Sequence, residues 1–393
     1  MRKIYLDHNA TTPVHPEVRK AVEPYLSEQF GNPSSIHWAG RDVRKGVEDA
    51  RQEIASFFGC QPLEVVFTSS GTESDNLAIK GVAFCKGNGR KHIITSQVEH
   101  PAVMNACRFL GRQGFRVTYV PVNRYGIVEP DSVREALTPD TILVTVMYAN
   151  NETGSIMPIP EIGAIAREAG AIMHTDAVQA AGKLPIDFGA LPVDMLTFSG
   201  HKVNALKGAG GLIIRKGIQI EAVIHGGHQE RGRRGGTENV LGIVAMGKSF
   251  ELLRAGMEEE VAVIRRLRDK FENGLFGRIP ELVLNGHPTE RLPNTLNISF
   301  RFVEGEAMLL NLDMMGIACS SGSACTSGSL EASPILMAMG ADPTDAQGAL
   351  RFSLGMGNTD ADVEYAIDAI ETVVNKLRAM SPIYPSRKEA KAR

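Results

Sequence analysis

Apolar residues recur at helical spacing from Pro16 to Phe30 and again from Asp42 to Phe58, where Val43, Val47, Ala50, Ile54, Phe57 and Phe58 share one face. Short apolar runs with polar punctuation follow. Glu64–Thr68, His92–Thr95, Phe115–Val120, Ile142–Met147, Ile172–His174, Met195–Phe198 and Gly211–Ile214 read as strands, with helical stretches between most of the earlier ones. That order predicts an α/β protein: a mostly parallel seven-stranded sheet sandwiched by helices, with its ligand site beyond the carboxyl ends of the strands. The polar residues at those ends are Ser69–Asn76, His100, Asn150–Glu152, Asp176–Gln179 and Ser199–Lys202.

The texture changes after Gly226. Gly226–Asn239 is rich in arginine and glycine with little to bury, which predicts an exposed arm towards a ligand or another subunit, or a plain solvated loop. A long amphipathic helix from about Val240 to Gly277 comes next. It leads into a smaller α+β pattern, with strands near Leu296–Phe300 and Leu350–Ser353 and a closing helix from Asp360 to Met380. The expected division is a large domain over residues 13–258 and a small one over 259–393, joined by 1–12.

Composition narrows the class. The chain has 393 residues, 43% hydrophobic and 22% charged, as in ordinary globular proteins, and its net charge of −3 argues against nucleic acid as a partner. Five cysteines without paired spacing suggest a reducing compartment rather than a disulfide framework. With no signal-like start and no apolar run of spanning length, a cytoplasmic protein with no membrane partner is expected.

Lys202 follows a buried strand, and a desolvated lysine amine can attack a carbonyl to form a Schiff base, the bond by which lysine holds pyridoxal phosphate. One lysine alone proves little, since most are solvated surface charges. Asp176, just past another strand, is a carboxylate that could keep a pyridine nitrogen protonated, although aspartate at a strand end is often a turn cap. Ser69–Asn76 follows a strand and opens a helix. Gly71 there permits close backbone approach and Thr72 adds a hydroxyl, as a phosphate requires, though the same residues make a plain helix cap.

Gly242–Ser249 matches the nucleoside-triphosphate loop letter for letter. No strand precedes it, and Leu241, Val244 and Lys248 continue a helical register, so its glycines are expected to be packing positions and not a phosphate cradle. Gly316–Ser329 is small, polar and flexible in its second half, predicting an accessible, reactive Cys325, whereas Cys319 ends an apolar run and is expected in the core. The two are spaced too widely for a zinc pair, and no metal is expected.

Together, Tyr5–Pro13, Gly71–Ser74, Val98–Pro101, Asn150–Glu152, Thr175–Gln179, Ser199–Lys202, Arg231–Arg234 with Gly236–Asn239, and Ser320–Ser327 resemble the cysteine desulfurases. The likeness is to the NifS/IscS branch, which supplies sulfur for iron-sulfur clusters, and it runs from about residue 4 to 355. The resemblance implies a homodimeric fold-type-I pyridoxal phosphate enzyme that converts L-cysteine to L-alanine. In it Lys202 would hold the cofactor, Asp176 its ring nitrogen and Gln179 its ring oxygen, while His100 would stack on the ring and move protons. Gly71, Thr72, Ser199 and His201 would form the phosphate side, joined by Thr237 of the partner subunit. Arg351 with Asn151 would hold the substrate carboxylate, and Cys325 would carry the sulfur as a persulfide to a scaffold or other acceptor protein. Two departures stand out, Met356 where such proteins usually carry arginine and His228 where they carry a small residue. The short tail after Ser381 tilts the expectation towards the nitrogen-fixation type. An aminotransferase of the same fold would need Lys202 but not Cys325.

Overall fold

The computed structural model describes residues 2–85, 89–321, 332–381 and 384. Cys325 and residues 385–393 of the tail lie outside them. In the central sheet β1 is Val65–Thr68, β2 His92–Ser96, β3 Arg116–Val120, β4 Thr141–Thr145, β5 Ile172–Asp176, β6 Met195–Ser199 and β7 Gly210–Ile214. Each of the seven apolar runs forms a strand. Their order is β1-β7-β6-β5-β4-β2-β3, and every pairing is parallel except the two made by β7. One apolar layer packs on each face of this sheet, so its strands, apart from the edge strand β3, are buried on both sides and read as continuous hydrophobic runs.

Four helices matter for the site: α1 Trp38–Phe58, α2 Gly71–Phe84, α3 Pro101–Arg112 and α4 Val240–Arg278. The first begins at His37, whose ring accepts from the Gly40 amide, and stops at Gly59, whose φ of 66° suits a residue without Cβ. Its stripe of Val43, Val47, Ile54 and Phe58 is buried as the spacing predicts. The expected helix over Pro16–Phe30 is shorter. It ends at Val22 and tightens into a 3-10 turn over Glu23–Leu26, because Pro24 lacks the amide that would extend it.

The arm is not loose. The Glu230 carboxylate is buried, pairs with both terminal nitrogens of Arg51 at 2.9 Å and accepts the Phe67 amide at 3.0 Å. Positive φ at Glu230 and Arg231 (46° and 59°) bends the backbone so that this carboxylate turns inward. Composition hid the anchor because its cation lies 179 residues away.

The long helix α4 serves two cores. Ile243, Met246 and Phe250 are buried against the large sheet, whereas Leu267, Phe271 and Leu275 belong to a second apolar cluster with Ile4 and Leu6. That cluster lies on an antiparallel sheet of β8 (Leu282–Asn285), β9 (Thr295–Phe300), β10 (Ser320–Ser321) and β11 (Ala349–Ser353), ordered β10-β11-β9-β8. The sequence pattern showed only β9 and β11, since the other two are too short for a clear alternation. Cys319 is half-buried at the edge of this cluster, and burial pushes its thiol up to about 12.

Candidate active site

Five strands end on one cleft of about 290 Å³. β1 leads to Ser70–Thr72, β2 to His100, β4 to Met147–Asn151, β5 to Asp176–Gln179 and β6 to Ser199–Lys202, and all of these segments line it. Of the residues singled out in the sequence, Gly71, Thr72, His100, Asn151, Asp176, Gln179, Ser199, His201, Lys202 and Arg351 line this cleft. Thr237 is exposed on the arm and does not line it.

At the amino end of α2, Ser70 caps the Glu73 amide at 3.2 Å, while the amides of Gly71 and Thr72 precede any intrahelical bond. Glycine at 71 keeps this turn close to the segment after β5: a Cβ there would stand 2.8 Å from Val178 Cγ2, which would have to shift. The result is a helix amino terminus aimed at the cleft. Nearby, the Ser199 hydroxyl is buried without a hydrogen-bond partner among the described residues. His201 Nδ1 lies 3.2 Å from Thr11 Oγ1, and burial with Lys202, Lys207 and Lys183 around it pushes the imidazole down to about 4.

Lys202 sits in the 3-10 turn after β6 and donates to the carbonyls of Asn9 (2.5 Å) and Ala10 (2.8 Å). Asn9 also receives the Gln179 side-chain amide at 2.9 Å, leaving Gln179 Oε1 buried and unpartnered among the described residues. These two carbonyls were missed in the sequence, because a backbone acceptor leaves no residue-type signal. Asp176 is 7% exposed at the end of β5. Burial raises its carboxyl, while His100, the Val178 amide and Lys202 draw it back. His100 caps α3 by accepting the Ala102 amide through Nδ1 at 3.1 Å, and burial lowers its imidazole. Lys183, also missed, donates to the Gln179 carbonyl at 3.0 Å; burial beside Lys202 pushes its amine down to about 7.

On the small-sheet side Arg351, in β11, is 5% exposed. It donates to the Asn151 carbonyl at 3.0 Å and to Asp7 Oδ1 at 2.8 Å, while its Nε and the Asn151 side-chain oxygen stay unpartnered among the described residues. The cleft thus offers an amine and a carboxyl on adjacent strands, an anion-binding helix end and a guanidinium across the gap. The unsatisfied buried atoms of Ser199, Gln179, Asn151 and Arg351 suit a polar ligand with a phosphate, a ring hydroxyl and a carboxylate.

This combination points to one family, and the comparison agrees. Residues 4–366 match the family described as aminotransferase class-V. The chain belongs to the class-V aminotransferases. Among its relatives is the cysteine desulfurase of Trichormus azollae, 51% identical over 97% of this chain and 95% of that protein. The structure is similar to that of a NifS-like protein, with a TM-score of 0.90 and 37% identity over 95% of this chain and all of the other. It is also similar to SspA in complex with cysteine, with a TM-score of 0.81 and 35% identity over 90% of this chain and 99% of that one. This class-V fold is therefore the fold-type-I architecture implied by the motifs. No helix of its described residues is long and apolar enough to cross a membrane.

Proposed function

We propose that the chain is a pyridoxal-phosphate-dependent cysteine desulfurase, which converts L-cysteine to L-alanine and passes the sulfur on for iron-sulfur cluster assembly. The observation that carries the proposal is that Lys202 and Asp176, at the carboxyl ends of adjacent strands, open on the cleft bounded by the amino end of α2. Lys202 would hold the cofactor's aldehyde carbon, Asp176 its ring nitrogen and Gln179 its ring oxygen, and His100 would lie against the ring. Gly71, Thr72, Ser199 and His201 would hold its phosphate with Thr237 of the partner subunit, which would make the working unit a homodimer. When bound, pyridoxal phosphate supplies an electron sink that acidifies the α-carbon of an attached amino acid.

The chain's own groups do the rest. Arg351 and Asn151 grip the substrate carboxylate, with Arg351 oriented by Asp7. The Lys202 amine would take the α-proton, and His100 would move protons within the cleft. The Cys325 thiolate then attacks the substrate sulfur: the carbon–sulfur bond breaks, a sulfur–sulfur bond forms, and the carbon skeleton regains a proton and leaves as alanine. Cysteine plus thiol gives alanine plus persulfide, so no outside oxidant or reductant enters. The persulfide is delivered in the cytoplasm to a scaffold or other acceptor protein, and we assign residues 13–258 to the cofactor domain and 259–393 with 1–12 to the domain bearing Cys325.

The test is alanine release from L-cysteine with a reductant present, wild type against Cys325→Ala. A variant that stays yellow and makes no alanine supports the proposal. Equal alanine from both would favour an aminotransferase-like enzyme.

A further inference from the structure

Asp75 has no part in the mechanism above, yet it is only 1% exposed at the cleft floor, in the second turn of α2. Its Oδ1 has no hydrogen-bond partner among the described residues. The nearest imidazole nitrogen, His174 Nε2, is 3.7 Å away but engages Thr197 Oγ1 at 3.0 Å, while Nδ1 engages Thr145 Oγ1 at 2.8 Å. Burial pushes His174 down to about 3, so it brings no positive charge to Asp75. Asp75, His100 and Asp176 each present one polar atom, and these three atoms lie within 4.8 Å of one another.

Two carboxyls this close in a dry site cannot both ionise cheaply, and a proton must reside on one of them. Their surroundings are unequal. Asp176 Oδ1 accepts the Val178 amide at 2.9 Å and faces His100 and Lys202, all of which favour its charged form. Asp75 meets burial, the charge of Asp176 and the Glu99 carboxyl, which together raise it well above the usual range against the single pull of Thr197.

We propose that Asp75 and Asp176 form a carboxyl pair sharing one proton, with the proton on Asp75 and the charge on Asp176. Asp75 is then a positioning residue: by staying neutral it directs the pair's single negative charge towards the cleft, where a pyridine nitrogen needs it. The inference rests on the cofactor reading of Asp176, but the location of the proton does not. The titratable groups facing the pair are Glu99, His100, His174 and Lys202.

Difference infrared spectroscopy of the pyridoxal-phosphate-loaded protein at neutral pH, wild type against Asp75→Asn, tests it. The variant is expected to lose one protonated-carboxyl stretch, keep every ionised-carboxylate band and keep the cofactor's absorption maximum, since asparagine mimics the neutral acid. Signals from Glu99 cancel in the difference. Loss of an ionised band instead, or a shifted cofactor maximum, would overturn the proposal. If the variant does not fold, carboxyl-¹³C aspartate in the wild type decides: one protonated aspartate is expected, and none or two would contradict it. A wild type that takes up no pyridoxal phosphate would remove the cofactor reading, while the infrared bands would still locate the proton.

Discussion

Two glycine- and serine-rich stretches of this chain invite the same reading and have opposite fates. Ser69–Asn76 carries no complete nucleotide motif, yet it turns from β1 into α2 at the mouth of the cleft, with its first amides facing inward. Gly242–Ser249 spells the triphosphate loop, yet it lies wholly inside α4. A Cβ on Gly247 would stand 2.5 Å from the Ala50 backbone, so that glycine lets two long helices touch. Lys248 pairs with Glu251 at 2.8 Å, and the buried Ser249 hydroxyl donates to the Val203 carbonyl. What separates the stretches is backbone: a phosphate needs amides not yet spent on a helix, and only a strand-to-helix turn supplies them.

The largest expected effect is at Lys202. Lys202→Ala should lower alanine formation by at least about 10²–10⁴-fold and abolish retention of colour through gel filtration, with kinetics and absorbance as the readouts. Thr72→Ala should weaken cofactor binding by roughly 1.5–3 kcal/mol, the usual worth of a hydrogen bond to a charged group, measured by titrating apoprotein with pyridoxal phosphate. A comparable loss of affinity from Ser249→Ala would break the comparison. Gly247→Val should cost about 1–3 kcal/mol of stability by overpacking, seen in denaturant melts, while leaving cofactor affinity intact in the folded fraction.

Below the first stretch lies a floor of buried acid. Glu99 accepts the Ser96 hydroxyl and the Met147 amide, and burial pushes its carboxyl up to about 8. In the unfolded chain it titrates near the ordinary value of about 4.3. Its folded form binds the proton more tightly, so its contribution to stability is full below that value and is lost as pH rises through 8. Glu99→Gln should therefore gain on the wild type in thermal melts as pH rises across that window. The smallest effect belongs to Lys248→Ala, within about 0.5 kcal/mol in stability and with unchanged turnover.

The sheet was legible because each strand is a compact apolar run closed by polar residues, and the site because parallel strands release their functional residues at one end. The pattern left out what depends on distant partners. Asp75 is an ordinary helix acid by its place in the chain, in the second turn of α2, and only the fold sets it beside Asp176. Asn9 and Ala10 act through carbonyls, which no residue type advertises. Glu230 looked like a solvated charge until Arg51 was found opposite it. Leu282–Asn285 and Ser320–Ser321 are strands by pairing more than by composition.

Borohydride reduction of the pyridoxal-phosphate-loaded protein, followed by peptide mapping, tests the central claim most directly, because it fixes the cofactor to whichever amine holds it. The account predicts a single pyridoxyl-modified peptide carrying Lys202. Modification of Lys183 or Lys248 in place of Lys202, or no stable adduct from a yellow protein, would contradict it.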